Sequence, residues 1–121
     1  MSKYFRDVDY LGHIRDAIAR IDRYLTNKSE AEFMASELVQ DGVIRNLEVI
    51  GEAVSKLSPE LKARHAEVPW REVSGMRNRL IHGYMSVNLN IVWDTVVKVI
   101  PEFLETVDAI LNALAAAPGK T

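Results

Sequence analysis

Leu11, Ile14, Ile18, Ile21 and Leu25 recur at steps of three and four residues. That rhythm fits the 3.6-residue turn of an α-helix and not a strand, whose side chains alternate every two residues. An apolar stripe of this length has to be buried against another element, so it largely dictates the architecture. The spacing predicts a first helix from about Tyr4 to Leu25, interrupted by Thr26-Asn27-Lys28-Ser29.

The same period returns downstream. A short helical turn is expected from Ser29 to Met34. Val43, Leu47, Ile50, Val54 and Leu57 then predict a helix over Ser36–Leu57. Ser58-Pro59-Glu60 is a helix start, with Ser58 as the N-cap and Pro59 at the first helical position. That helix should reach about His65. Pro69 should open a short piece, Trp70 to Val73, and Ser74 should cap a separate helix from Gly75 to about His82, stopped by Gly83. Asn88 is placed to cap a long last helix striped by Val92, Val96, Val99, Phe103, Val107, Ile110 and Leu114. Pro101 lies inside it and should kink or divide it. The tail from Ala115 is expected to fray.

The expected fold class is all-α: an antiparallel helical bundle with three long helices and short connecting helices. The 121 residues suit one domain over 1–121, with an ordered core of about 4–114. Apolar residues make up 48% of the chain, enough for one core without covalent staples. With no cysteine, disulfides and thiolate metal sites are excluded, and a cytoplasmic location is expected. No apolar run approaches the ~20 residues of a membrane span. Adjacent apolar pairs, Val43 with Ile44 and Ile91 with Val92, widen two faces enough to suit packing on a second copy.

Net charge is −2, which gives no global signature of nucleic-acid binding, but its distribution is uneven. Between Leu61 and His82, Lys62, Arg64, Arg71, Arg77 and Arg79 face only Glu67 and Glu72, a local +3 that leaves −5 for the rest. A basic patch on an acidic body can hold an anion at one place. Within it, Arg77 and Arg79 offer forked donors suited to phosphate, and His82 carries a proton near neutral pH. Asn78, four residues before His82, shares its helix face and can orient the imidazole. Arg77, five residues before, lies about 140° around, within reach of a long side chain. The helix dipole favours the His82 imidazolium, and the neighbouring arginines oppose it.

This set suits metal-free cleavage of RNA, which brings its own nucleophile, the 2′-hydroxyl. A histidine moves the protons and an arginine stabilises the phosphorane. Such residues at a helix end are, on physics alone, more often a solvated cap.

The segment Arg77-Asn78-Arg79-Leu80-Ile81-His82 resembles the Arg-x4-His motif of HEPN ribonucleases. Tyr84 completes the longer Arg-x4-His-x-Tyr form, similar to HepT toxins of HepT/MntA toxin–antitoxin pairs. Arg45-Asn46-Leu47-Glu48-Val49-Ile50-Gly51-Glu52-Ala53, Val68-Pro69-Trp70-Arg71 and Ile91-Val92-Trp93-Asp94 resemble the same family, in matching order. The resemblance spans roughly Tyr4 to Leu111. It implies a HEPN bundle, active as a homodimer, and a metal-independent endoribonuclease that needs no cofactor, with tRNA the expected target. It implies Arg77 and His82 as the catalytic pair, with Asn78 and Arg79 supporting or holding substrate. It implies a nucleotidyltransferase antitoxin as partner, which transfers AMP to Tyr84. A bulky anion there would block the cleft and repel RNA phosphate. The rival reading is a non-catalytic HEPN module that binds nucleotide or assembles with a nucleotidyltransferase. A pure binding module would have no need of the imidazole.

Other residues carry weaker signals. His13 and His65 read as surface residues, and Trp70 and Trp93 as core or interface anchors. Asp41, Arg45, Glu48 and Glu52 line one helix face. They read as a solvated stripe with Arg45 pairing to Glu48 or Glu52, or else as a polar wall of the cleft with Arg45 or Glu52 orienting the motif. No spacing resembles a metal site or a Gly-rich phosphate loop.

Overall fold

The computed structural model describes the backbone of residues 3–81 and 88–116, and the side chains of residues 6–76 and 88–116. Among the described residues there is no strand. The chain runs α1 (Lys3–Leu25), α2 (Glu30–Ala35), α3 (Glu37–Ser55), α4 (Pro59–Arg64), α5 (Trp70–Ile81) and α6 (Leu89–Asp94). A π-helical turn (Thr95–Val99) then leads into α7 (Ile100–Ala116). The all-α expectation holds.

Four helices form a ring around the core. α3 packs between α1 and α5, and α1 also packs on α7. The ring of Trp70 on α5 meets Phe103 on α7 edge-on, with centroids 6.1 Å apart. Leu11, Ile14, Ile18 and Ile21 of α1, with Leu47, Ile50 and Val54 of α3, are wholly or almost wholly buried between them. The stripes read from the sequence are core for most of their length; Leu25 and Leu114 are only half-buried, and Val99 of the last stripe is exposed because the π turn rotates it out of the helical face.

Polar contacts set the α1–α3 register. Arg20 Nε donates to Asn46 Oδ1 at 2.7 Å, and Asn46 Nδ2 donates to the Gly42 carbonyl at 2.8 Å. Earlier in α1, the buried Asp7 carboxylate accepts from the Ser58 backbone N–H at 2.8 Å and from the Ser58 hydroxyl at 2.6 Å. Residue numbers rise along one helix as they fall along the other, so the pair is antiparallel. A Cβ at Gly42 would stand 3.0 Å from the Tyr24 ring, so glycine permits this close approach. Asn27, at φ 60°, turns the chain out of α1 in the left-handed conformation that Asn tolerates.

The expected helix starts are formed. Ser29 and Glu32 make a reciprocal capping box on α2. Ser36, Ser58 and Asn88 cap α3, α4 and α6 through side-chain oxygens.

One expectation needs revision and another takes a particular form. Ser74 does not begin a new helix: Trp70–Ile81 is one continuous helix, and Ser74 Oγ donates back to the Arg71 carbonyl at 3.2 Å. Trp70, Val73 and Met76 are buried along one face, and that packing outweighs the poor helix propensity of Ser74-Gly75. Near Pro101 the expected disturbance takes the form of a π turn between α6 and α7. Upstream of the proline the Ile100 N–H bonds to the Thr95 carbonyl, five residues back. Proline has no N–H to give and its ring crowds the carbonyl four residues earlier. One wider turn accommodates both, and helix continues on each side. The expected stop at Gly83 and the tail beyond Ala116 lie outside the described residues.

Candidate functional site

The residues expected to carry chemistry stand at and beyond the end of α5. Arg77, Asn78 and Arg79 belong to its last turns, on a helix packed against α3. Their side chains, and His82 and Tyr84 altogether, lie outside the described residues. Trp70, Val73 and Met76 fix the helix that brings the three to this end of the bundle. Trp70 is held in turn, since its indole N–H donates to the His65 carbonyl at 3.0 Å.

The described residues form a polar cleft and, elsewhere, an apolar groove. The first is a cleft of about 380 Å³ between α1 and α3. Tyr10 and His13 form its α1 wall. Their rings lie 6.0 Å apart at 82°, so one presents its edge to the other. α3 supplies Arg45, Glu48, Glu52 and Lys56 around a floor of Val49 and Ala53. Arg45 pairs with Glu48, and Lys56 with Glu52, each at 3.6 Å.

Of the two readings of this stripe, the Arg45–Glu48 pairing of a solvated face is formed, while its relation to the motif lies outside the described residues. Arg45, Glu48 and Glu52 line the cleft while keeping exposed ion pairs, and Asp41 is not among the lining residues. Tyr10 and Lys56 were missed, and His13 was read only as a surface residue. A signal existed for Lys56: positions 45, 48, 49, 52, 53 and 56 follow helical spacing. Tyr10 and His13 join them only through the antiparallel α1–α3 pairing.

The second concavity is apolar. Val73 and Met76 of α5 face Val99, Ile100 and Phe103 across a groove of about 220 Å³. Val97 and Val99 of the π turn are nearly half exposed, at 49% and 44%.

Among the described residues, no group of three His, Asp or Glu side chains could hold a metal ion, and no helix is long and apolar enough to cross a membrane.

The family model of HepT-like ribonucleases matches residues 14–110. A probable ribonuclease HepT from Thermococcus cleftensis is 40% identical over 93 residues, covering 77% of this chain and 84% of that protein. Two further relatives are named as putative RNases. One, from Caldanaerobacter subterraneus, is 39% identical over 103 residues, covering 85% of this chain and 92% of its own length. The other, from Methanocaldococcus jannaschii, is also named gamma-glutamylcyclotransferase and is 39% identical over 105 residues. The match covers 87% of this chain but only 47% of that longer relative. No solved structure matches the chain. The chain belongs to the HepT-like ribonuclease family. It is an endoribonuclease by that membership.

Proposed function

We propose that this protein is the toxin of a toxin–antitoxin pair, a metal-independent endoribonuclease acting in the cytoplasm as a homodimer, with tRNA as its target. Arg77 and His82 are its catalytic pair, with Asn78 and Arg79 supporting them. The observation that carries the reading is the Arg77-x4-His82-x-Tyr84 segment, set within the stretch matched by the HepT-like family.

The chemistry needs no group beyond these side chains and the RNA. A neutral His82 takes the proton of the 2′-hydroxyl, and the freed oxygen attacks the adjacent phosphorus. The bond to the 5′-oxygen breaks, and that oxygen takes a proton from an imidazolium. The products are a 2′,3′-cyclic phosphate and a 5′-hydroxyl. Arg77 stabilises the phosphorane charge, where its forked donors suit phosphate geometry. A two-fold dimer supplies one histidine as base and its partner's as acid.

Neutralisation falls to a nucleotidyltransferase antitoxin. The Tyr84 hydroxyl attacks the α-phosphorus of ATP, an O–P bond forms, and pyrophosphate leaves. The tyrosine then carries AMP, whose negative charge stands two residues from His82 and repels substrate.

Purified protein with bulk tRNA and a chelator tests the nuclease. Cleavage should persist without metal and fall about 10²–10⁴-fold in His82→Ala, the usual worth of a general acid–base group. Equal behaviour of wild type and His82→Ala would instead favour a binding module without catalysis. After co-expression with a nucleotidyltransferase encoded beside it, intact mass should show added AMP on wild type and none on Tyr84→Phe. An unmodified wild-type chain that is nonetheless neutralised rejects the modification.

A further inference from the structure

We propose that the cleft between α1 and α3 is a base-reading subsite for single-stranded RNA, selective for guanine. This rests on RNA being the substrate, and it adds a binding site outside the segment from Arg77 to Tyr84.

The charge order along α3 carries the argument. From its N-terminal side the stripe reads Arg45, Glu48, Glu52, Lys56: cation, carboxylate, carboxylate, cation. Eleven residues separate the ends, which places the two cations about 16 Å apart along the axis. The fitting ligand is therefore anionic at both ends and rich in N–H donors at its centre. That centre must also be flat and partly apolar, since Val49 and Ala53 form the floor and Tyr10 with His13 the wall. A short run of nucleotides in a strand has this pattern, with phosphates toward both ends and a base between.

The volume, about 380 Å³, falls within the ~300–1,000 Å³ of ordinary small-ligand sites. Unpaired bases are held in general by stacking on aromatic side chains and by hydrogen bonds to their Watson–Crick edges. A duplex would keep those edges occupied.

Guanine is the best match to the carboxylates. Its Watson–Crick edge offers two neighbouring N–H groups to one carboxylate, as two parallel bonds. Uracil sets a single N–H between two carbonyls, which a carboxylate repels. Glu48 is the better placed of the two acids, with only 26% of its side chain exposed against 50% for Glu52. The existing ion pairs do not oppose ligand entry. They are i,i+3 and i,i+4 pairs at the surface, worth little in water, so each cation can turn to a phosphate.

Binding of 2′-O-methylated heptamers, followed by fluorescence anisotropy with chelator present, tests this. The methylated strand lacks the nucleophile, so binding is read apart from cleavage. UUUGUUU should bind at least about fivefold tighter than UUUUUUU. Tyr10→Ala should weaken the guanine strand about tenfold, as loss of a stacking platform does, while Tyr10→Phe keeps the ring and the affinity. Glu48→Ala, at a surface position, should abolish the preference for guanine. No binding of either strand, equal affinities for the two, or wild-type binding by both Tyr10→Ala and Glu48→Ala would overturn the proposal. Selective binding without cleavage of unmodified RNA would sink the ribonuclease reading and leave the subsite. Cleavage with equal affinities would sink the subsite alone.

Discussion

The seam between α1 and α3 carries directed hydrogen bonds beside its apolar core, whereas the seam between α5 and α7 rests mainly on apolar contact among its described residues. On the first seam, Arg20 is tied to Asn46 and Tyr24 closes on Gly42, and just past its end Asp7 is tied to Ser58, the cap of α4. On the second, Trp70 meets Phe103, and an apolar groove stays open beside the π turn. Hydrogen bonds have direction, so the first seam has one register. Dispersion and burial are non-directional, so the second tolerates a gap and a wide turn. The polar cleft lies along the seam whose geometry is fixed, as a site that must aim several side chains requires.

The largest expected effect lies on the apolar seam. Phe103 is only 4% exposed and supplies both the Trp70 contact and part of the groove wall. Phe103→Ala should cost about 3 kcal/mol, near the low end for aromatic deletion because the groove already opens there. Urea denaturation gives the figure. A cost below about 1 kcal/mol would mean that this seam holds little of the fold.

Breaking the polar seam should cost somewhat less and by another mechanism. Asp7→Ala leaves the Ser58 N–H buried without its acceptor, for a loss of about 2–3 kcal/mol. Asn46→Ala should cost about 1–2 kcal/mol, since Arg20 is half-buried and water can take over part of its bond. Hydrogen exchange sharpens the contrast. Asp7→Ala should speed exchange at the start of α4, and Phe103→Ala should speed it in α5 and α7. Identical exchange patterns would dissolve the distinction between the seams.

Much of this was legible in the sequence, and the failures have physical causes. The caps at Ser58 and Asn88 are local chemistry, and local chemistry is readable. Ser74 misled because its type favours a cap while its surroundings, Trp70, Val73 and Met76, are fixed by tertiary burial. At Pro101 the disturbance could be foreseen, but the choice between kink and π turn depends on what Thr95 and Val96 pack against. The Asp7–Ser58 latch joins residues 51 apart in sequence, and nothing near either one announces it. The cleft was half legible: α3's stripe follows helical spacing, whereas Tyr10 and His13 arrive from another helix. The Arg77–His82–Tyr84 segment was legible only through its pattern and its family.

The smallest effect concerns α2, which packs on α3 and meets α6 through Phe33. Its Phe33 is fully buried, and the ring lies 5.4 Å from Trp93, which belongs to α6. Ser29 and Glu32 hold the start of this short helix by bonding each other's backbone N–H, at 3.1 and 2.8 Å. The Ser29 backbone N–H, then the Ser29 hydroxyl and the nearby Lys28 charge, draw the Glu32 carboxyl below its ordinary 4.5. A carboxylate with a lowered folded pKa contributes stability that is present above its unfolded pKa and is lost as pH falls through the folded value. The start of α2 should therefore loosen only below about pH 4.5, changing the Trp93 emission as Phe33 shifts beside it while the main bundle persists. Ser29→Ala should cost about 1 kcal/mol and return the Glu32 titration toward 4.5, measured by carboxyl NMR. If Glu32 titrates at its ordinary value in wild type, the capping box does not form in solution, and Phe33 must be held by its own burial against α3 and Trp93.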